Sequence, residues 1–328
     1  MELVSRARRR ILHHILQAAA LLAAAFPAFA QEGKPIEWVV GYAVGGGSDT
    51  VARSVAEELR KSLGRTVIVN NKPGAATNIA AEYVAKSKDI GNVMLTADFA
   101  TLAANPALFG KLPYDAERDF APIGLLARFP LLLVVAPQVQ AKDFKEFAAW
   151  ARTQAGGVSY GSAGIGSPHH LAGELLRERS GLKLQHVAYR GAAPAVQDLI
   201  GGQIPVALMD TASVQQYITS GKLRAIGVAS PKRLAAFPEV PTLAEQGLGG
   251  FEAYAWQGLV VPAATPPATV AALSKALQQA LESTAVKARF QALSLEAMPG
   301  TPQDMAAYAK SERERWGKLI RDNGIKLD

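Results

Sequence analysis

The sequence predicts an α/β fold of two lobes, each built on a doubly wound, mostly parallel sheet. Three observations predict it. Short β-rich runs alternate with helix-periodic stretches along nearly the whole chain. Gly-rich turns sit where a strand hands over to a helix. The length of 328 residues, 49% of them hydrophobic, exceeds what a single core usually organises.

The first 30 residues stand apart. Arg6, Arg8, Arg9 and Arg10 precede an apolar run from Ile15 to Phe26, and Ala28-Phe29-Ala30 puts small residues where a signal peptidase reads. The pattern predicts a secretory signal peptide over residues 1–30, removed on export. The run is shorter than the roughly 20 residues a membrane span needs. Taking away four arginines and Glu2 from 35 basic and 28 acidic residues leaves 31 and 27, a charge of +4. That balance gives no reason to invoke nucleic acid. The mature protein is expected to be soluble and exported, most simply into a bacterial periplasm. Cysteine is absent, which excludes disulfides, thiolate metal sites and a cysteine nucleophile.

The mature chain opens on a strand at Ile36–Tyr42, ended by Gly45-Gly46-Gly47. Ser48 or Asp49 suits an N-cap, and Val51, Ala52, Val55, Leu59 and Leu63 follow at helical spacing until Gly64. Strand Thr66–Asn70, the turn Lys72-Pro73-Gly74, a small-residue helix over 77–86 and strand Val93–Ala97 come next. The alternation resumes with strand Leu131–Ala136, a helix over Phe144–Arg152 and strand Val158–Gly161. Ser162–Gly166 is a second Gly-rich turn, and Ser167-Pro168 is an N-cap followed by proline at the first helical position. Strands at Leu184–Tyr189, Val206–Met209 and Leu223–Ala229 complete the second half. Helices Pro267–Leu281 and Pro302–Asn323 close the chain, the latter with Thr301 as N-cap. The chain is expected to cross between lobes near Leu131–Pro137 and to return near Phe251–Pro262. This gives one lobe over 31–132 plus 256–328 and a second over 133–255.

Three turns share one chemistry: Gly45-Gly46-Gly47-Ser48, Gly74-Ala75-Ala76-Thr77, and Ser162-Ala163-Gly164-Ile165-Gly166-Ser167. Each lets backbone approach a ligand closely and opens a helix whose first N–H groups lack partners. Such termini favour an anion by about 0.3–2 kcal/mol. Phosphate motifs fail: Thr50 stands where G-x-G-x-x-G needs glycine, and Gly47 is followed by Ser48, not lysine. A carboxylate is the better candidate. No G-x-S-x-G surrounds Ser48, Ser162 or Ser167, so no catalytic residue is assigned. The mature chain keeps His169, His170 and His186. The first two point to different helix faces, which argues against a metal pair, although His170 could donate to a ligand. Asp49 reads as a cap. Asp210, at the end of an apolar strand, either reaches a cleft or caps the next helix. Tyr42, Phe99, Tyr189, Tyr254 and Trp256 could wall a pocket or lie in the core.

The ordered motifs identify a family resemblance. Lys34-Pro35-Ile36, the Gly45-Gly46 loop with Asp49, Asn71-Lys72-Pro73-Gly74-Ala75, Leu112-Pro113-Tyr114-Asp115 and Asp119-Phe120-Ala121-Pro122-Ile123 carry its first half. The stretch from Ser162 to Glu174, Tyr189–Ala195, Gly221–Ala225, Pro238–Thr242 and Trp256-Gln257-Gly258 carry its second. Over essentially the whole mature region the chain resembles the Bug/TctC family, extracytoplasmic solute receptors of tripartite tricarboxylate transporters. The resemblance implies a two-lobed, type II-like periplasmic binding protein with its ligand cleft between the lobes. It implies a small carboxylate, a dicarboxylate or an aromatic acid, held by amides, hydroxyls and ordered water without cofactor or metal. Carried over, Tyr42, Val44, Gly45, Gly46 and Ser48, with Ala75 and Thr77, contact it from one lobe. Ser162, Gly164, Gly166, Ser167, His170 and Asp210 do so from the other, and Trp256 adds a wall. The implied partner is a set of membrane transporter subunits, served by a monomer. An exported hydrolase, or a sensor for a signalling partner, is the alternative. Two departures bear on the pocket. The family's F-A-P-G-G reads Tyr42-Ala43-Val44-Gly45-Gly46 here, and its R-P-G-A-G-G reads Lys72 to Thr77 without the two late glycines.

Overall fold

The computed structural model describes residues 33–327, so the expected signal peptide lies outside the described residues. Residues 35–327 belong to one compact unit. Its first strand, β1 (Ile36–Val40), is a central strand because Trp38, Val39 and Val40 leave no polar face. It lies parallel to β2 (Val67–Asn71) and β3 (Val93–Asp98), and the Trp38 indole N–H donates to Thr96 Oγ1 at 2.8 Å. Helix α1 (Gly47–Leu63) buries Val51, Ala52, Val55 and Leu59 and stops at Gly64 in the left-handed region. Helix α2 (Asn78–Ala85) crosses back to β3, which runs on through a wide turn (Ala100–Ala104) into α3 (Asn105–Leu108).

The longest strand, β4 (Phe120–Val135), joins the sheet's two sections. Its residues 120–130 pair antiparallel with β9 (Tyr254–Pro262), which itself lies antiparallel to β3. From Leu131 to Val135 it pairs instead with β7 (Val206–Asp210), and from Leu132 to Val135 with β8 (Arg224–Val228). Beyond β7 lie β5 (Val158–Ser162) and β6 (Leu184–Ala188), with β5 parallel to both neighbours. The order across the sheet is β2-β1-β3-β9-β4-β7-β5-β6, with β8 and the two-residue β10 (Glu296–Ala297) on β4.

Helices α4 (Phe144–Thr153), α5 (Pro168–Ser180), α6 (Ala192–Ile200) and α7 (Thr211–Thr219) serve the second section. Helices α8 (Pro267–Glu282), α9 (Thr284–Ala292) and α10 (Pro302–Asp322) return to the first. The expected starts of α5 and α10 hold: Ser167 caps the first, and Thr301 with Asp304 forms a reciprocal capping box on the second. Two features differ from the sequence reading. The strand expected at Leu131–Ala136 is only the last third of β4. Its earlier part hides its strand character because Pro122 and Gly124 sit where the β4–β9 register shifts. The helix expected to begin at 77 begins at Asn78, after a left-handed turn over Ala75–Thr77.

Candidate functional site

Two loops hold most of the expected site, each at the carboxyl end of a parallel strand. The first, Gly41–Gly46, links β1 to α1 and needs glycine at Gly45, where φ is +85°. Asp49 folds back beneath it. Its Oδ2 accepts the Gly45 N–H at 2.9 Å and Arg53 Nε–H at 3.0 Å, and Arg53 pairs with Oδ1 at 2.9 Å. Burial pushes the Asp49 carboxyl up, but the Arg53 and Gly45 bonds outweigh it and hold the group below its ordinary range. Arg53 also donates to Asn71, whose side-chain amide donates to the Tyr42 carbonyl at 2.9 Å. The Gly46 N–H reaches only the Ala43 carbonyl, at 3.5 Å. The N–H groups of Gly47, Ser48 and Asp49 have no acceptor among the described residues and form the positive end of a 17-residue helix.

Beneath this loop the end of β3 supplies anchors that sequence reasoning missed. The Tyr42 hydroxyl donates to Asp98 Oδ2, and Asp98 Oδ1 accepts from Thr101 N–H and Oγ1. Burial drives the Asp98 carboxyl upward against these bonds, and burial followed by the Asp98 charge drives the Tyr42 phenol up, so the phenol keeps its proton. Thr101 Oγ1 also lies 2.8 Å from Thr77 Oγ1, and Asn105 donates to the Ala76 carbonyl at 2.7 Å. Tyr42 and Thr77 are thus tied to one anchor, while Ala75 and Ala76 remain exposed. Ala75, Ala76 and Thr77 all take left-handed φ values, of 46°, 51° and 72°. Non-glycine residues pay for that conformation.

On β9 the strand's alternation decides between neighbours. Gln257, opposite Asp98 in register, is buried and donates through Nε2 to Ser48 Oγ at 2.5 Å, while its Oε1 has no hydrogen-bond partner among the described residues. Trp256, expected to wall the pocket, is 1% exposed, and its indole N–H donates to Glu312 at 3.1 Å under α10. It belongs to the core, and Gln257 is the residue on the loop side.

The second loop, Ala163–Ser167, is wired into its own surroundings. Gly164 N–H donates to Ser162 Oγ at 3.1 Å, and Gly166 N–H donates to His170 Nδ1 at 3.0 Å. Ser167 Oγ donates to the Gly164 carbonyl at 2.7 Å and accepts from His170 N–H at 3.2 Å. Ser162 is fully buried and lies 2.6 Å from His186 Nε2. The expectation that the Gly45, Gly164 and Gly166 amides face a ligand is therefore corrected. Side chains within each loop's own strand and helix take them, because a tight turn buries its polar groups and must pair them. The N–H groups of Ile165 and His169 keep no acceptor among the described residues. Both loop tips are apolar, with Val44 70% and Ile165 42% exposed.

Three further expectations are settled by geometry. His170 does not aim at the loop's open side; its ring stacks on His186 with centroids 3.7 Å apart. Asp210 caps α7, taking Ser213 N–H and Oγ, and accepts from His169 Nε2 at 3.0 Å, so both its oxygens are engaged. Burial, the strongest single influence, raises this carboxyl, but the His169 and Ser213 bonds together hold it below its ordinary value. His169 and His170 indeed face apart. Gly166 leans against α3, since a Cβ there would stand 2.3 Å from Leu108 Cδ1. Two surface grooves, of about 540 and 840 Å³, lie away from both loops, along α2 and between α8 and the start of α10. Among the described residues no group of three acidic or histidine side chains is placed to hold a metal, and no helix is long and apolar enough to cross a membrane.

Comparison with known proteins agrees with this architecture. The family described as "Tripartite tricarboxylate transporter family receptor" matches residues 51–325. The periplasmic binding protein BugD superposes with a TM-score of 0.81 at 34% identity, covering 92% of this chain and all of that one. R. palustris Rpa4515 with adipate gives a TM-score of 0.83 at 28% identity, covering 91% of this chain and 99% of that one. MatC from Rhodopseudomonas palustris with bound malate gives 0.78 at 32%, covering 90% and 100%.

Proposed function

This chain belongs to the tripartite tricarboxylate transporter receptor family, and on that premise we propose that it is a periplasmic receptor for a small organic acid. It closes two lobes over the acid and delivers it, as a monomer, to membrane transporter subunits. One observation carries this reading: the Gly47, Ser48 and Asp49 amides stand open at the start of α1, beside the Ser48 hydroxyl and the buried Gln257 side chain. Peptide N–H groups converging at a helix start favour a carboxylate without needing a cation. The adipate and malate held by two similar structures support that ligand class.

The lobes are 31–132 with 256–328, and 133–255. Support for these bounds is the change of β4 partners between Pro130 and Leu131 and the start of β9 at Tyr254. Closure gains the acid contacts from the second loop, so binding shifts the balance between open and closed forms. Export through the signal peptide at residues 1–30 places the receptor in the periplasm. Ser162 beside His186 is no hydrolytic nucleophile in this reading, because its hydroxyl is buried and shared with Gly164.

The test is a thermal-denaturation screen of malate, adipate, other dicarboxylates and aromatic acids, on protein freed of carried-over ligand by unfolding and refolding. An acid at 100 times its Kd stabilises the folded protein by about 2.7 kcal/mol. If no acid in such a panel shifts the transition, the receptor reading is lost; turnover of a bound acid would favour the hydrolase.

A further inference from the structure

The second loop owes its shape to two imidazoles buried behind it. His170, in the first turn of α5, turns its Nδ1 back to accept the Gly166 N–H at 3.0 Å. That bond leaves Nδ1 unprotonated and puts the neutral ring's proton on Nε2. His186, on β6, stacks on His170 at a ring angle of 16° and lies 2.6 Å from Ser162 Oγ, which in turn bonds Gly164. One ring therefore secures Gly166 and the other, through Ser162, secures Gly164.

We propose that His170 is a positioning residue that latches the second loop through its unprotonated Nδ1, and that a proton taken up there springs the loop. Resting on the receptor reading, the consequence is a grip on the acid that loosens as the medium turns acidic.

The surroundings favour the neutral ring. Facing it are Glu174 and Arg177 from α5, Tyr160 from β5 and His186 from β6. Glu174 Oε1 stands 3.9 Å from Nε2, beyond a hydrogen bond. That oxygen accepts from the Tyr160 hydroxyl at 2.5 Å, and Oε2 pairs with Arg177 at 2.5 Å. Glu174 is thus already paired with Arg177, which weakens its support for an imidazolium in the stack. A proton on Nδ1 would set N–H against the Gly166 N–H, and two stacked imidazolium rings would repel. Burial first, then His186 and Arg177, lower the His170 pKa to about 3. Opening the loop returns the ring to water and to an ordinary value near 6.5. Each pH unit below about 6.5 therefore favours the opened loop tenfold.

Amide hydrogen exchange on the mature chain, without added acid, tests the latch. Corrected for intrinsic rates, protection of Gly166 in the wild type should be flat near pH 7 and fall tenfold per unit from about pH 6.5 to about pH 4.5. His170→Asn keeps an acceptor near the Nδ1 position but cannot be protonated, so its Gly166 stays protected with no pH slope. His170→Leu should lose Gly166 protection at every pH while Val39 and Leu133 in the sheet stay protected. A wild-type profile without the slope, or protection retained in the leucine variant, overturns the latch. Calorimetry with the same panel of malate, adipate, other dicarboxylates and aromatic acids over this range separates the two ideas: if none binds at any pH while exchange behaves as stated, the receptor reading fails and the latch stands.

Discussion

The two Gly-rich loops look alike as sequence, small residues between a strand and a helix, yet they dispose of their amides in opposite ways. The first is braced from below by the Asp49 carboxylate and leaves three consecutive N–H groups open at the start of α1. In the second, Ser162 and His170 take the Gly164 and Gly166 N–H groups, Ser167 donates to the Gly164 carbonyl, and the loop leans on Leu108. On the proposed reading, the difference separates a helix start suited to an anion from a wall that is already shaped. Glycine count does not reveal which is which; the position of the nearest acceptor does.

The largest expected effect comes from exchanging the roles of two glycines. Gly166 combines φ of +76° with a Cβ position 2.3 Å from Leu108 Cδ1. Gly166→Val should cost about 3 kcal/mol of stability, through backbone strain and overpacking together. Gly46 has extended backbone, with φ of −75°, and the nearest atom to its Cβ position is the Ala43 carbonyl at 3.5 Å. Gly46→Val should cost under about 1 kcal/mol yet weaken acid binding at least about tenfold, or 1.4 kcal/mol. Denaturant titration and calorimetry on both variants decide it, and unchanged affinity in the valine-46 protein removes the first loop from the site. Next in size is Asp49→Ala, which strips Gly45 and Arg53 of their shared acceptor. It should lower stability by about 2 kcal/mol, while Asp49→Asn, still an acceptor for Gly45, should lose less. Equal losses would show that Arg53 pairing, not loop bracing, is what Asp49 contributes.

Much of the scaffold was legible because period and punctuation are local. The alternation of strands and helices, Gly64 ending α1, and the Ser167-Pro168 and Thr301-Pro302 helix starts all appear where the sequence places them. What stayed hidden depends on neighbours distant along the chain. His186 carries no signal until β6 is seen beside β5, which sets it on Ser162 and His170. Asp98 and Thr101 become anchors only when β3 lies against β1. The exchange of Trp256 for Gln257 was within reach, since adjacent strand residues face opposite sides. Which of the two faced the loop still required the register with Asp98.

The pH behaviour of the whole protein sharpens the comparison, since the buried ring pair belongs to the second loop. The folded His170 value of about 3 lies below the unfolded value near 6.5. Its contribution is therefore complete above pH 6.5 and is lost as pH falls from there toward 3. At pH 5 the loss is about 2 kcal/mol, from 1.4 kcal/mol per unit. His170→Asn should flatten that part of the curve in urea titrations at pH 7 and pH 5. A variant with the wild-type slope would mean that other groups bind the protons.

The smallest effect concerns the third turn, where Ala75, Ala76 and Thr77 hold left-handed backbone without glycine. Thr77 is buried against Thr101 and under Gly41, whose Cβ position lies 2.9 Å from Thr77 Cβ, so altering it disturbs packing as well as strain. Ala76 is exposed, and Asn105 holds it by its carbonyl alone, which any residue supplies. Ala76→Gly therefore isolates the backbone contribution. Relief of the left-handed conformation is worth about 1–2 kcal/mol, and the greater freedom of glycine in the unfolded chain takes back about 0.5–1 kcal/mol. The net expectation is a gain of up to about 1.5 kcal/mol in denaturant titration, with the Asn105 contact intact. A loss instead would mean that the turn is not strained at Ala76. It would also mean that this chain's departure from the family's two late glycines costs it no stability at that position.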